Sequence, residues 1–97
     1  MKCGEIWFVE FGDLTENNYQ TTGHEYKKPR PALIVESDKQ LKITAVITII
    51  PFTSKNQKQA DDIFIFKDTL NNLNYDSVLK VHHIQSFDSE RFIKKIG

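Results

Sequence analysis

Ninety-seven residues suffice for one small core, and 39% hydrophobic with 27% charged residues is ordinary for a globular domain. Thirteen Lys and Arg balance thirteen Asp and Glu, so the net charge is zero. That excludes a chain that coats nucleic acid non-specifically and leaves room for a local basic patch. Cys3 is the only cysteine, which excludes an internal disulfide and a cysteine-built metal site. With no charged-then-apolar leader and no bilayer-length apolar run, residues 1–97 read as a single cytoplasmic domain with no membrane partner.

Glu5 to Phe11 is the first expected strand, rich in aromatic and β-branched residues and ended by Gly12-Asp13. Alternation puts Trp7, Val9 and Phe11 on one face, with Phe8 and Glu10 on the other. Leu14 to Lys28 is polar and aperiodic, a long loop of the kind that often carries function. Ala32 to Glu36 is a second strand, apolar on both faces and therefore central. Ser37 to Gln40 is a turn. Ile43 to Ile50 is a third strand, and Pro51, which cannot donate to a ladder, ends it or places it at an edge. Phe52-Thr53-Ser54 is a hydroxyl-bearing turn, and Lys55 to Asp62 is polar with room for a helical turn. Ile63 to Phe66 and Ser77 to Ile84 are the fourth and fifth strands, separated by the turn-rich Leu70 to Asn74. On the fifth, His82 and His83 face opposite ways, so they do not chelate one metal together; one packs and one lies at the surface. Asp88 is a good N-cap for a closing helical turn through Arg91 and Phe92 to Lys94-Lys95. Short strands, tight turns and little helix predict a mainly β chain folded as a small antiparallel barrel with one or two short helices.

One stretch combines stiffness with charge. In Lys27-Lys28-Pro29-Arg30-Pro31-Ala32 an arginine stands between two prolines and opens a strand. Each proline fixes its own φ near −65° and turns the preceding residue towards extended geometry. A guanidinium held on such a backbone suits a phosphate. The local pattern also fits a solvated charge at a strand start, and by itself does not choose between the two.

The order of motifs along the chain does choose. Gly4-Glu5-Ile6-Trp7 opens it, and Gly23-His24-Glu25 precedes Arg30-Pro31-Ala32-Leu33-Ile34-Val35. Pro51-Phe52-Thr53 ends a strand, and His82-His83-Ile84-Gln85-Ser86-Phe87 leads to Arg91-Phe92. This order resembles the MazF/PemK (Kid) family of toxin endoribonucleases, the mRNA interferases, over almost the whole chain. The resemblance implies an SH3-like barrel of the MazF/CcdB type, a homodimer that cleaves single-stranded RNA with no metal or cofactor. It implies a cognate antitoxin as the partner that fills the RNA groove.

By the same resemblance Arg30 matches the family's catalytic arginine and Thr53 its catalytic threonine, while Glu25 stands where many members carry an acidic residue near the scissile phosphate. Cleavage by 2′-hydroxyl attack gathers charge on the non-bridging oxygens, and donors aimed at that charge are usually the largest catalytic term. Arg30 and Thr53 supply such donors. Arginine stays protonated, so Glu25 or His24 is the better proton acceptor. Lys27 and Lys28 stand beside Arg30 to steer RNA, and His24, Ser54, His83 and Gln85 complete the expected RNA-binding set. Gln85 departs from the family's lysine or arginine and removes one phosphate contact. Many members also continue past the position of Gly97 into an amphipathic helix, which bears on the dimer and on toxicity. Two other readings stand beside this one: a CcdB-like toxin directed at gyrase, which would lack the Arg–Thr pair, and a non-catalytic RNA-binding member of the same fold.

Overall fold

The computed structural model describes residues 1–11, 29–53 and 61–97. The predicted loop from Leu14 to Lys28 falls outside them, with His24, Glu25, Lys27 and Lys28, and so do Ser54 and most of the polar stretch after it. The described chain is mainly β, with seven strands in one antiparallel sheet. They are β1 (Ile6–Val9), β2 (Arg30–Ile34), β3 (Val46–Thr53), β4 (Ile63–Ile65), β5 (Ser77–Leu79), β6 (Gln85–Asp88) and β7 (Phe92–Lys95). The order across the sheet is β4-β5-β3-β2-β1-β7, with β6 also on β3. Among the described residues no helix is long and apolar enough to cross a membrane.

β3 organises this sheet. One edge pairs with β2, setting Ala32 against Pro51 and Ile34 against Ile49. The other edge is shared: Val46 to Ile49 pair with β6, and Phe52 and Thr53 pair with β5. Pro51 therefore does not end the strand, as its missing donor predicts. Its carbonyl accepts from Lys80 N at 2.9 Å, on the edge that passes from β6 to β5. A residue's N–H and C=O point to the same side of an antiparallel strand, so the absent donor falls at that hand-over: the ladder to β2 loses nothing, and the contact with Lys80 keeps one of its two bonds.

Alternation splits the apolar residues between two clusters. Ala32, Ile34, Ile47 and Ile49 join Val9, Phe11 and Phe87 on one face, with Trp7 packed against them. Phe11 and Phe87 meet edge to face at 4.9 Å. Ile50 and Phe52 join Ile6, Leu73 and Leu79 on the other face, with Leu33 and Ile96 packed against them. Both faces of β2 and β3 are covered, which is why their sequences read as nearly continuous apolar runs.

The chain's last quarter differs from expectation. Ser77 to Ile84 is not one strand: β5 stops at Leu79, Val81–His83 form a 3-10 turn, and β6 follows. The opposite-face argument for His82 and His83 therefore does not apply. His82 is exposed, with Nε2 2.9 Å from Asp61 Oδ2, and His83 is half-buried. Asp88 does cap, accepting from Glu90 N at 2.9 Å, but the turn it starts ends at Arg91. Phe92–Lys95 is β7, paired to β1 with Trp7 opposite Lys95. So short a segment has no stable helix of its own, whereas β1 offers it an open edge. The expected turn at Ser37–Gln40 is a single helical turn, Asp38–Leu41, capped by the Ser37 hydroxyl.

The sheet curls until its ends approach. Asn72 Nδ2 donates to Ile96 O at 2.6 Å, joining the β4–β5 connection to the end of β7. A Cβ at Gly97 would collide with the Asn71 backbone. β4 and β7 do not pair among the described residues, so the barrel is drawn together by a side-chain link rather than closed by a ladder.

Candidate active site

β2 begins two residues earlier than its apolar pattern implies, so Arg30 lies inside the strand, opposite Val9 of β1. β3 runs three residues further than expected and ends on Thr53, opposite Val78 of β5. The β2–β3 register pairs Ala32 with Pro51 and Leu33 with Ile50. That pairing ends at Ala32–Pro51, and Arg30 and Thr53 each lie two residues beyond it on the two adjacent strands. Their own ladder partners, Val9 and Val78, are fully buried and hold both backbones.

Thr53 is 5% exposed and Arg30 half-buried. The Arg30 Nε is a buried donor with no hydrogen-bond partner among the described residues. A buried donor left unpaired costs about 1–3 kcal/mol, a cost that an acceptor in the adjoining space would relieve.

Both residues line a cavity of about 190 Å³ that wraps the end of the β2–β3 ladder. Phe8, Pro31 and Phe52 contribute apolar surface, and Asn72, Asn74 and Tyr75 of the β4–β5 connection form another wall with Ser77 at the start of β5. The sequence marks Leu70 to Asn74 only as a turn. Its asparagines are a signal for left-handed backbone, which Asn72 adopts with φ 55°, but nothing local says which cavity the turn borders. His83 and Gln85 lie elsewhere, along the far edge of β3 from Arg30. Gln85 pairs with Ile49, and its Nε2 donates to His83 O at 3.0 Å. Neither lines the cavity. Among the described residues no group of three His, Cys, Asp or Glu stands close enough to hold a metal ion.

A second polar feature lies on the same edge of β3. Lys80 Nζ is 2.7 Å from Asp62 Oδ2, with side-chain exposures of 9% and 0%. Lys80 thus joins the start of β4 to the end of β3, through its ammonium and through its N–H on Pro51 O.

Comparison with known proteins places these features among relatives. Residues 2–97 match the family described as PemK-like, MazF-like toxin of type II toxin-antitoxin system. The endoribonuclease MazF9 of Mycobacterium tuberculosis is 28% identical over 102 residues, spanning all of this chain and 80% of that protein. Among solved structures, the Mycobacterium tuberculosis toxin MazF-mt6 superposes with a TM-score of 0.72 at 19% identity, over 96% of this chain and 77% of its own. A mycobacterial endoribonuclease in complex with its cognate antitoxin gives the same TM-score at 11% identity, over 100% of this chain and 77% of its own. At those identities the two structures speak for the fold, and the bent antiparallel sheet is theirs as well.

Proposed function

The chain belongs to the family of PemK-like, MazF-like toxins of type II toxin–antitoxin systems, and from that premise we propose that it is an endoribonuclease that cuts single-stranded RNA at selected sequences without a metal ion. The observation that carries the reading is that Arg30 and Thr53, on adjacent strands, line one cavity, with a buried arginine Nε that bonds no described residue.

The chemistry follows from those two side chains. The ribose 2′-oxygen attacks the adjacent phosphorus and forms a new P–O bond while the bond from phosphorus to the 5′-oxygen breaks. The products are a 2′,3′-cyclic phosphate and a free 5′-hydroxyl, whose oxygen takes a proton from water as it leaves. Negative charge rises on the non-bridging oxygens. Arg30 donates to it from a planar fork that remains charged, and the Thr53 hydroxyl donates beside it. The pair is held by the sheet before RNA arrives, so little reorganisation is needed in the transition state. Glu25 or His24 takes the 2′-hydroxyl proton, Lys27 and Lys28 steer the strand, and Ser54, His83 and Gln85 extend the contact along the RNA. The active species is a homodimer acting in the cytoplasm, and its antitoxin blocks the RNA groove.

Incubating the purified protein with long single-stranded RNA in EDTA tests this. Discrete fragments with cyclic phosphate ends are expected, and Arg30→Ala lowers kcat about 10²–10³-fold, the usual effect of removing one such donor. Thermal melts check that the variant is folded. Absence of cleavage by the native protein, or an unchanged rate in Arg30→Ala, overturns the reading. Light scattering checks the dimer.

A further inference from the structure

We infer that the β4–β5 connection reads a nucleobase next to the cleaved bond, with Tyr75 stacking on the ring and Asn74 hydrogen-bonding its edge. The inference rests on the ribonuclease reading of the same cavity and extends it to sequence selection, beyond the residues that contact phosphate.

The connection is built rigidly. Asp68 Oδ1 accepts from Leu70 N at 2.8 Å and from Asn71 N at 2.7 Å. Asn71 closes the turn from the other side: its Oδ1 accepts from Leu73 N at 3.0 Å and its Nδ2 donates to Phe66 O at 2.9 Å. Asp76 Oδ1 accepts from Lys67 N at 2.9 Å across the base of the connection. Leu73 is 6% exposed and anchors the segment in the second apolar cluster. Ser77 Oγ donates to Tyr75 O at 2.8 Å and fixes the backbone of the tyrosine itself.

Against that network two side chains differ. Asn74 and Tyr75 both line the cavity that holds Arg30 and Thr53, and both are exposed. Neither the Asn74 amide nor the Tyr75 hydroxyl hydrogen-bonds any described residue. A fixed backbone that presents an amide and an aromatic ring, both unspent, beside a phosphate-binding pair is the arrangement single-stranded RNA recognition uses. Unstacked bases lie on aromatic rings, and their Watson–Crick edges meet amides. The apolar contribution of Phe8 and Phe52 to the same cavity fits a planar base better than a second phosphate. Arg30 and Thr53 take the phosphate whatever base is attached, so selection falls to the part of the wall that meets the base.

Short RNA oligomers carrying a 2′-O-methyl group at the cleavage position, so that they bind without being cut, test the inference. They differ from one another at single nucleotides flanking that position. Fluorescence anisotropy measures their binding to the native protein, Tyr75→Ala, Tyr75→Phe and Asn74→Ala, with thermal melts as the folding control. The native protein is expected to favour one nucleotide at one flanking position. Tyr75→Ala weakens the preferred oligomer about 5- to 150-fold, Tyr75→Phe restores it, and Asn74→Ala flattens the nucleotide preference. A native protein that binds and cleaves while both alanine variants keep its affinity and preference overturns the base-reading inference and spares the ribonuclease reading. A native protein that neither binds nor cleaves overturns both. Selective binding without cleavage, lost in Tyr75→Ala, supports the inference and counts against catalysis.

Discussion

Replacing Lys80 with methionine isolates the most buried charge pair in the described structure. Asp62 is completely enclosed, Lys80 nearly so, and the two lie 2.7 Å apart. Their attraction is set against the desolvation of both ions, so the intact pair adds little net stability. Removing one partner takes away the charge 2.7 Å from the enclosed Asp62 carboxylate. Such losses cost about 3–5 kcal/mol. At about 4–8 °C per kcal/mol for a domain of this size, Lys80→Met lowers Tm by about 12–40 °C. Asp62→Leu alone removes the same attraction from the enclosed ammonium and costs a similar amount. The double variant replaces the pair with apolar side chains of similar volume and stays within about 1 kcal/mol of the native protein. The Lys80 N–H to Pro51 bond is made by backbone and survives all three variants, so the end of β3 that carries Thr53 keeps its place. Urea unfolding followed by circular dichroism, run as a double-mutant cycle, gives the coupling directly. A single variant that costs less than about 1 kcal/mol, or a double variant that costs the sum of the two singles, refutes the argument.

Three further outcomes are expected. Arg30→Lys keeps the charge and loses the planar fork, so RNA cleavage falls at least about tenfold, in kcat more than in KM; single-turnover kinetics read this. Glu5 Oε1 accepts from Trp7 Nε1 at 2.9 Å, and this bond, helped by Lys2 N, holds its carboxyl below the usual value of 4.5 despite partial burial. A lowered folded pKa contributes stability above the unfolded value and loses it as pH falls through the folded one. Urea midpoints of the native protein should therefore drop more steeply between pH 5 and pH 3, on the order of the unfolded carboxylate range, than those of Glu5→Gln. Equal slopes would remove Glu5 from the account. Asn72→Ala combines left-handed strain with loss of the bond to Ile96 and costs about 1–3 kcal/mol. Asn72→Gly keeps the backbone free and costs about 1 kcal/mol less; thermal melts separate the two.

The strand content and the faces were legible because alternation is local. Trp7, Val9 and Phe11 do pack on one side, and β2 is central, as its two apolar faces require. Arg30 was marked as a stiffened cation by its two prolines alone. Strand ends were less legible, because a strand ends where its partner ends rather than where its own propensity fades. β3 reaches Thr53 past a proline because β5 receives its last two residues. Phe92–Lys95 became a strand because β1 had an unpaired edge, although Asp88 carries a sound cap.

By itself, the sequence determined a mainly β domain, a rigid arginine at a loop-to-strand boundary, and a hydroxyl after Pro51. Each is a property of a few adjacent residues, set by proline geometry, β-branching and period. Tertiary structure decided that Arg30 and Thr53 line one cavity, that Arg30 Nε bonds no described residue, and that Asn74 and Tyr75 share that cavity. Those relations depend on the β2–β3 register and on the curl that brings the β4–β5 connection against the end of β7. Register is a sum over all cross-strand contacts, so no single stretch of the chain encodes it.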